Sequence, residues 1–73
     1  MAEVVLTNHV QYRLHERGID SHEVKQIAKN GNVTKREVDG IIREGLSSIT
    51  GKNLRVISII RNNKIIIKTA YYI

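Results

Sequence analysis

The N-terminal part of the chain repeats apolar residues at the spacing of an α-helix. The pattern predicts a first helix at about residues 8–17, with Thr7 or Asn8 able to cap its start. Val10 and Leu14 lie one turn apart and would face the rest of the protein. The first helix is therefore expected to be amphipathic, with one buried stripe.

A second helix is predicted at about residues 21–30. Asp20 and Glu23 have the spacing of a capping box, in which the cap side chain bonds to the helix and the acid bonds back to the cap. Val24 and Ile27 then share one face, as an amphipathic helix requires.

The C-terminal end carries the clearest strand pattern. Two runs rich in β-branched residues, Leu54 to Ile60 and Lys64 to Tyr72, flank a polar turn at 61–63, where asparagine tolerates the positive φ of a tight hairpin. Alternation assigns one set of residues in each strand to a single face: Leu54, Val56, Ser58 and Ile60 in the first, and Ile65, Ile67, Thr69 and Tyr71 in the second.

Apolar residues also occupy the other faces of this hairpin. Ile57, Ile59 and Ile66 alternate with the residues just named. Strands that are apolar on both faces are typical of the middle of a sheet. The hairpin is therefore expected to be central and covered on much of both sides.

The middle of the chain allows two interpretations. Apolar residues over 38–46 have helical spacing, but Gly40 and Gly45 would each destabilise a helix interior by about 1 kcal/mol. The preferred alternative is a meander of two strands, at about 33–38 and 41–49.

Together these elements predict one α+β domain over residues 1–73. Two N-terminal helices would pack on a three- to four-stranded antiparallel sheet at about 33–72, with a turn at Asp39-Gly40 between the middle strands.

Composition limits the kinds of site that the chain can form. A domain of 73 residues buries only about 60% of its unfolded surface, so its core is thin. Without cysteine it can form neither a disulfide nor a thiolate metal site, and no histidine or carboxylate motif for metal is present. No metal and no cofactor are expected. With no run of ~20 apolar residues and no basic leader, the expected location is the cytoplasm.

Charge is distributed unevenly along the chain. The net charge is +5, and residues 46–73 contain basic residues but no acid. A surface of one sign attracts polyanions, of which nucleic acid is the commonest in a cell. The alternative is a solvated sheet edge whose charges prevent aggregation.

The first helix carries residues suited to phosphate chemistry. His9, Arg13 and Arg17 recur every four residues and form one stripe beside the buried face. Arginine forms forked hydrogen bonds to phosphate oxygens, and histidine can transfer protons near neutral pH. The alternative is a pair of surface arginines bonded to nearby acids or to backbone carbonyls. His15 and His22 lie off the stripe and are interpreted as solvated.

Two tyrosines end the last strand, so one must point toward the helices and the other away. Tyr71 could stack on a base or donate its hydroxyl to a phosphate. It could equally complete a core that lacks Phe and Trp.

The N-terminal motif resembles a family of short bacterial and phage proteins of unknown function. The resemblance rests on Leu6 to His9, on Arg13, on Glu16 to Asp20, and on the closing Thr69-Ala70-Tyr71. More distantly, that family resembles the barnase–EndoU–colicin–RelE group of ribonuclease toxins, which place two helices against a four-stranded antiparallel sheet and cut RNA without metal.

The resemblance implies a cleft lined by the helical stripe and the last strand. Its implied catalytic residues are His9, Arg13, Arg17 and Tyr71, and residues suited to holding the nucleic acid are Lys64, Lys68, Thr69 and Arg55. Residues 39–52 match the family pattern poorly, and the polar Ser47-Ser48 stretch within them is expected to be a loop.

Three functions remain open from the sequence. The first is a metal-independent endoribonuclease toxin acting on RNA. The second is a non-catalytic nucleic-acid-binding or regulatory module. The third is a protein-interaction subunit of the toxin–antitoxin type, with a small acidic antitoxin or immunity protein as its partner.

Overall fold

The computed structural model describes residues 3–38 and 40–73. It confirms both predicted helices and the closing hairpin, and it shows strands rather than a helix in the middle of the chain. Asp39, predicted to lie in a turn, is outside the described residues. The elements are β1 (Glu3–Val5), α1 (Asn8–Glu16), α2 (Ser21–Asn30), β2 (Asn32–Arg36), β3 (Gly40–Leu46), β4 (Asn53–Arg61) and β5 (Lys64–Tyr72).

Both helices begin at polar caps. The Thr7 side chain accepts a hydrogen bond from the Val10 amide, 3.3 Å away, at the start of α1. Asp20 caps α2 by accepting from the His22 amide at 3.2 Å. The predicted capping box is nevertheless wrong, because the Glu23 carboxylate bonds to the β3–β4 loop instead of returning to the cap.

Across residues 3–38 and 40–73, the sheet has five strands in the order β1-β5-β4-β3-β2. The pairings β2–β3, β3–β4 and β4–β5 are antiparallel, whereas β1 pairs with β5 in parallel. The prediction of a three- to four-stranded antiparallel sheet therefore needs correction in strand number and in direction. A three-residue strand is too short for alternation to reveal, so β1 left no pattern in the sequence.

A β-bulge interrupts the central hairpin. Ile57 pairs with Thr69 and Ser58 pairs with Ile67, which leaves Lys68 without a cross-strand partner. A bulge shifts the alternation by one residue. After Ile67, the residues that face the helices are therefore Ala70 and Tyr72. The prediction that Thr69 and Tyr71 share the face of Ile65 and Ile67 is wrong for this reason.

Both helices pack on one face of the sheet. The core contacts between them and the strands come from buried apolar residues of α1, α2, β4 and β5: Val10, Leu14, Val24, Ile27, Ala28, Leu54, Val56, Ile67 and Ala70. Gly45 in β3 lets the Ile27 side chain approach, because a Cβ at that position would lie 3.1 Å from Ile27 Cγ1. No helix within the described ranges is long and apolar enough to cross a membrane.

The opposite face of the sheet is not covered by either helix. Ile42, Ile57, Ile59 and Ile66 lie there half-buried, outside the core cluster. We call this surface the open sheet face. The prediction of a central hairpin is confirmed, since β4 is the middle strand. The prediction of cover on both sides is wrong for the described residues, because both helices pack on the other face.

Candidate functional site

A cleft of about 290 Å3 lies between α1 and the bulged part of β5. We call it the α1–β5 cleft. Its lining combines the predicted helical stripe with three consecutive residues of the strand: His9, Val10, Arg13, Leu14, Arg17, Lys68, Thr69 and Ala70.

The backbone explains why these residues meet. His9 and Arg13 lie one turn apart on the exposed side of α1, and Arg17 follows at its C-cap. On the strand side, β1 pairs with β5 only as far as Ile66, so the edge of β5 beyond this residue lies beside α1. The bulge places Lys68 at this edge.

Arg17 ties the helix to the strand. Its Nη1 donates to Thr69 Oγ1 at 3.1 Å and to the Ala70 carbonyl oxygen at 3.0 Å. The alternative interpretation, in which the arginine is bonded to a backbone carbonyl, is therefore correct for Nη1 of Arg17. Within the described ranges, Nε and Nη2 have no such bond, so the guanidinium keeps donors for a ligand while its position is held.

The other charged residues of the cleft have no protein partner. Among residues 3–38 and 40–73, the side chains of His9, Arg13 and Lys68 form no hydrogen bond or ion pair. Of the carboxylates in the described part of the chain, none lines the cleft. Donors directed at an open cleft without a compensating acid create an attractive site for an anion.

Tyr71 and Arg55 lie elsewhere, on the open sheet face. Glu44, Arg55 and Tyr71 are in register across three neighbouring strands. Arg55 Nε donates to Glu44 Oε2 at 2.8 Å, and Arg55 Nη1 donates to the Tyr71 hydroxyl at 3.4 Å. The Tyr71 hydroxyl, and then Glu44, raise the pKa of Arg55. The structure thus separates Tyr71 from the cleft that the resemblance implied.

Lys64 is also outside the cleft. It lies at the hairpin end of β5, and its Nζ is 3.8 Å from Glu3 Oε2 on β1. Of the eight residues selected from the sequence, the cleft therefore gathers five, and the structure leaves Tyr71, Arg55 and Lys64 apart from it.

Glu23 has a role that the sequence analysis missed. Its buried carboxylate accepts from Ser47 Oγ at 2.6 Å, from the Ser48 amide and Oγ at 2.7 Å each, and from the Ile49 amide at 3.3 Å. Hydrogen bonds from the two serines lower its pKa. The sequence did contain a signal that Glu23 is buried: it lies four residues before Ile27, on the buried stripe of α2.

The described residues contain no group of three or more His, Asp or Glu side chains arranged to hold a metal ion. The side chains available for chemistry in the cleft are therefore an imidazole, two guanidiniums, an ammonium and a hydroxyl. This set can bind a phosphate and transfer a proton.

One comparison with known proteins gives a match. A family model described as "Domain of unknown function (DUF4258)" matches residues 6–72, which includes the Ser47-Ser48 loop. No curated protein and no solved structure matches the sequence.

Proposed function

Since the chain belongs to the DUF4258 family, whose description assigns no activity, we propose its function from the cleft: a small cytoplasmic endoribonuclease domain of the toxin type that cuts RNA without a metal ion. The observation that carries the proposal is the α1–β5 cleft itself. Within the part of the chain that the structure describes, it holds His9, Arg13 and Lys68 without protein partners and is lined by no carboxylate.

The proposed reaction is transfer of a phosphate ester within the RNA. The 2′-oxygen attacks the adjacent phosphorus, the bond to the 5′-oxygen breaks, and a 2′,3′-cyclic phosphate and a 5′-hydroxyl form. His9 accepts the proton of the 2′-hydroxyl or donates one to the leaving 5′-oxygen. Arg13 and Arg17 stabilise the negative charge that develops on the phosphate oxygens.

The remaining cleft residues would hold the substrate. Lys68 lines the cleft and would bind a neighbouring phosphate. Thr69 fixes the Arg17 guanidinium, so the arginine needs little reordering when RNA binds.

One observation favours a second function. With Tyr71 on the open sheet face, the described residues of the cleft supply a single imidazole for two proton transfers. A non-catalytic nucleic-acid-binding module needs only the cations, so it is the alternative to test. An acidic antitoxin-like partner would neutralise the same cations, and its co-purification with the protein would favour the toxin-type assignment over a simple binder.

The test is incubation of the purified protein with single-stranded RNA in the presence of EDTA. We expect cleavage with 2′,3′-cyclic phosphate ends, and no cleavage of an otherwise identical strand whose sugars lack the 2′-hydroxyl. RNA that is bound but stays intact would replace the nuclease with the binding module. Cleavage that EDTA abolishes would overturn the metal-free mechanism.

A further inference from the structure

The side chains of the α1–β5 cleft differ in their ability to release a proton. Cleavage of RNA needs two transfers, one from the 2′-hydroxyl and one to the leaving 5′-oxygen. Arg13 and Arg17 can stabilise negative charge, but a guanidinium does not give up its proton. The Thr69 hydroxyl accepts a hydrogen bond from Arg17 and so holds that arginine in place. Among the described residues that line the cleft, this leaves His9 and Lys68 as the groups able to donate a proton.

His9 and Lys68 lie on opposite walls of the cleft. His9 is in the first turn of α1, whereas Lys68 is at the bulge of β5, and both side chains are exposed. When a phosphate ester is displaced, the attacking and leaving oxygens lie roughly in line on either side of phosphorus. The base and the acid must therefore approach from opposite sides. A phosphate bound between the helix and the strand has an imidazole on one side and an ammonium on the other.

Nothing in the described part of the chain holds the Lys68 ammonium. It forms no hydrogen bond or ion pair there, unlike Lys64 on the same strand, whose Nζ lies 3.8 Å from Glu3 Oε2. Its flexible stem lets the ammonium follow a reacting atom. An ammonium also has three protons, so Lys68 can bind phosphate and still donate a proton to an oxygen beside it.

We propose that Lys68 is the general acid of the cleavage reaction and that His9 is its base, an inference that rests on the function proposed above. The His9 imidazole takes the proton of the 2′-hydroxyl as the bond from the 2′-oxygen to phosphorus forms. The bond from phosphorus to the 5′-oxygen breaks, and the electron pair left on that oxygen takes a proton from the Lys68 ammonium. The products are the 2′,3′-cyclic phosphate and the 5′-hydroxyl, and exchange with water returns both side chains to their starting states.

The test compares two RNA strands that differ in one atom. One strand is ordinary RNA, and the other has sulfur in place of the 5′-oxygen at a single linkage. A thiolate leaves without being protonated, so loss of the general acid should slow only the oxygen strand. Lys68→Arg keeps the positive charge but cannot release a proton. In single-turnover measurements we expect it to cut ordinary RNA roughly 10²-fold more slowly than the wild type. It should bind RNA with wild-type affinity and cut the sulfur strand at nearly the wild-type rate.

Two further variants serve as controls. Lys64→Arg makes the same change on the same strand but outside the cleft, and it should cut both strands at the wild-type rate. His9→Ala should be slow on both strands, because the 2′-hydroxyl loses its base whichever atom leaves.

The results separate the function of the cleft from the role of Lys68. A wild-type protein that cuts neither strand overturns the proposed function, and the general acid with it. If the wild type cuts RNA, a Lys68→Arg variant that is equally active on RNA overturns only the assignment of Lys68. Equal slowing of Lys68→Arg on both strands does the same, because the lysine would then act through its position alone. Rescue of His9→Ala by sulfur would make the imidazole the acid and also overturn the assignment.

Discussion

The α1–β5 cleft and the open sheet face share strand β5, and Lys68 borders both, but their other residues differ in kind. In the cleft, His9, Arg13 and Lys68 have no protein partners among the described residues. On the open sheet face, which also carries half-buried isoleucines, Arg55 is bonded to both Glu44 and Tyr71. The basic residues of a small protein are thus not equivalent, and pairing within the chain distinguishes those that can bind an external anion.

The bulge at Lys68 creates much of this difference. Without it, uninterrupted alternation would place Thr69 and Tyr71 on the face of Ile67, and Ala70 and Tyr72 on the other. The extra residue reverses these assignments and brings Lys68 to the cleft. Bulges commonly redirect side chains near functional sites.

The largest expected effect comes from His9. His9→Ala should reduce RNA cleavage by about 10²–10⁴-fold, because the cleft loses its acid–base group, while RNA affinity changes little. The measurement is the rate of single-turnover cleavage. His15→Ala, an exposed histidine on the same helix but outside the cleft, is the matched control and should cleave normally. Equal cleavage by both variants would mean that another group transfers the proton.

The next effect concerns the fold on which both regions rest. Glu23→Ala removes four hydrogen bonds from the β3–β4 loop and should lower the free energy of unfolding by about 3 kcal/mol. The measurement is urea unfolding. The fraction that remains folded should still bind RNA with wild-type affinity. A selective loss of affinity would show that the loop contributes to the cleft.

The hydrogen bonds between Glu23 and the β3–β4 loop also predict that stability depends on pH. Because folding lowers the pKa of Glu23, its contribution to stability is complete above the pKa of an unfolded glutamate, ~4.3, and is lost as pH falls through the lower folded pKa. The wild type should therefore lose more stability than Glu23→Gln as pH decreases through this range. Parallel stability curves for the two proteins would show that the hydrogen bonds do not favour the ionised carboxylate.

A smaller effect distinguishes unpaired from paired cations. Arg13→Ala or Lys68→Ala should weaken RNA binding about tenfold and reduce the slope of log affinity against log salt by about 0.7, as expected for one phosphate contact on a single strand. Lys64→Ala should have little effect, since Lys64 lies outside the cleft and near Glu3. Equal losses for all three variants would indicate a diffuse basic surface instead of a defined site.

The smallest effect is expected at Tyr71. Tyr71→Phe removes the hydroxyl that accepts from Arg55 and should cost about 1 kcal/mol of stability at most. Cleavage should be nearly unchanged, because Tyr71 does not line the cleft. A loss of cleavage as large as that of His9→Ala would return Tyr71 to the catalytic group and require the cleft to rearrange when RNA binds.

The sequence predicted those parts of the fold that depend on periodicity over several residues. Both helices and the stripe of His9, Arg13 and Arg17 follow from repeats at helical spacing. The central hairpin follows from alternation. The turn at Asn62 and Asn63 follows from residue type, since both have positive φ, at 51° and 60°.

The sequence could not predict features that depend on contacts between distant residues. The parallel pairing of β1 with β5 joins Val4 to Ile65, and a three-residue strand carries no pattern of its own. The bulge depends on how β5 pairs with β4, so alternation extended past Lys68 placed Tyr71 on the face of Ile67. Its place in the cleft was implied by the resemblance alone. For Glu23, local capping and a distant loop competed for one carboxylate, and the loop supplied more donors.

The central claim is that anions bind the α1–β5 cleft and not the open sheet face. The most direct measurement is a titration of the 15N-labelled protein with a short single-stranded oligonucleotide that lacks 2′-hydroxyls and so resists cleavage, followed by amide chemical shifts. We predict saturable shifts at Arg13, Lys68 and Thr69, with Ile59 unmoved. Shifts centred on Ile59, or none at the cleft residues while the oligonucleotide is bound, would contradict the account.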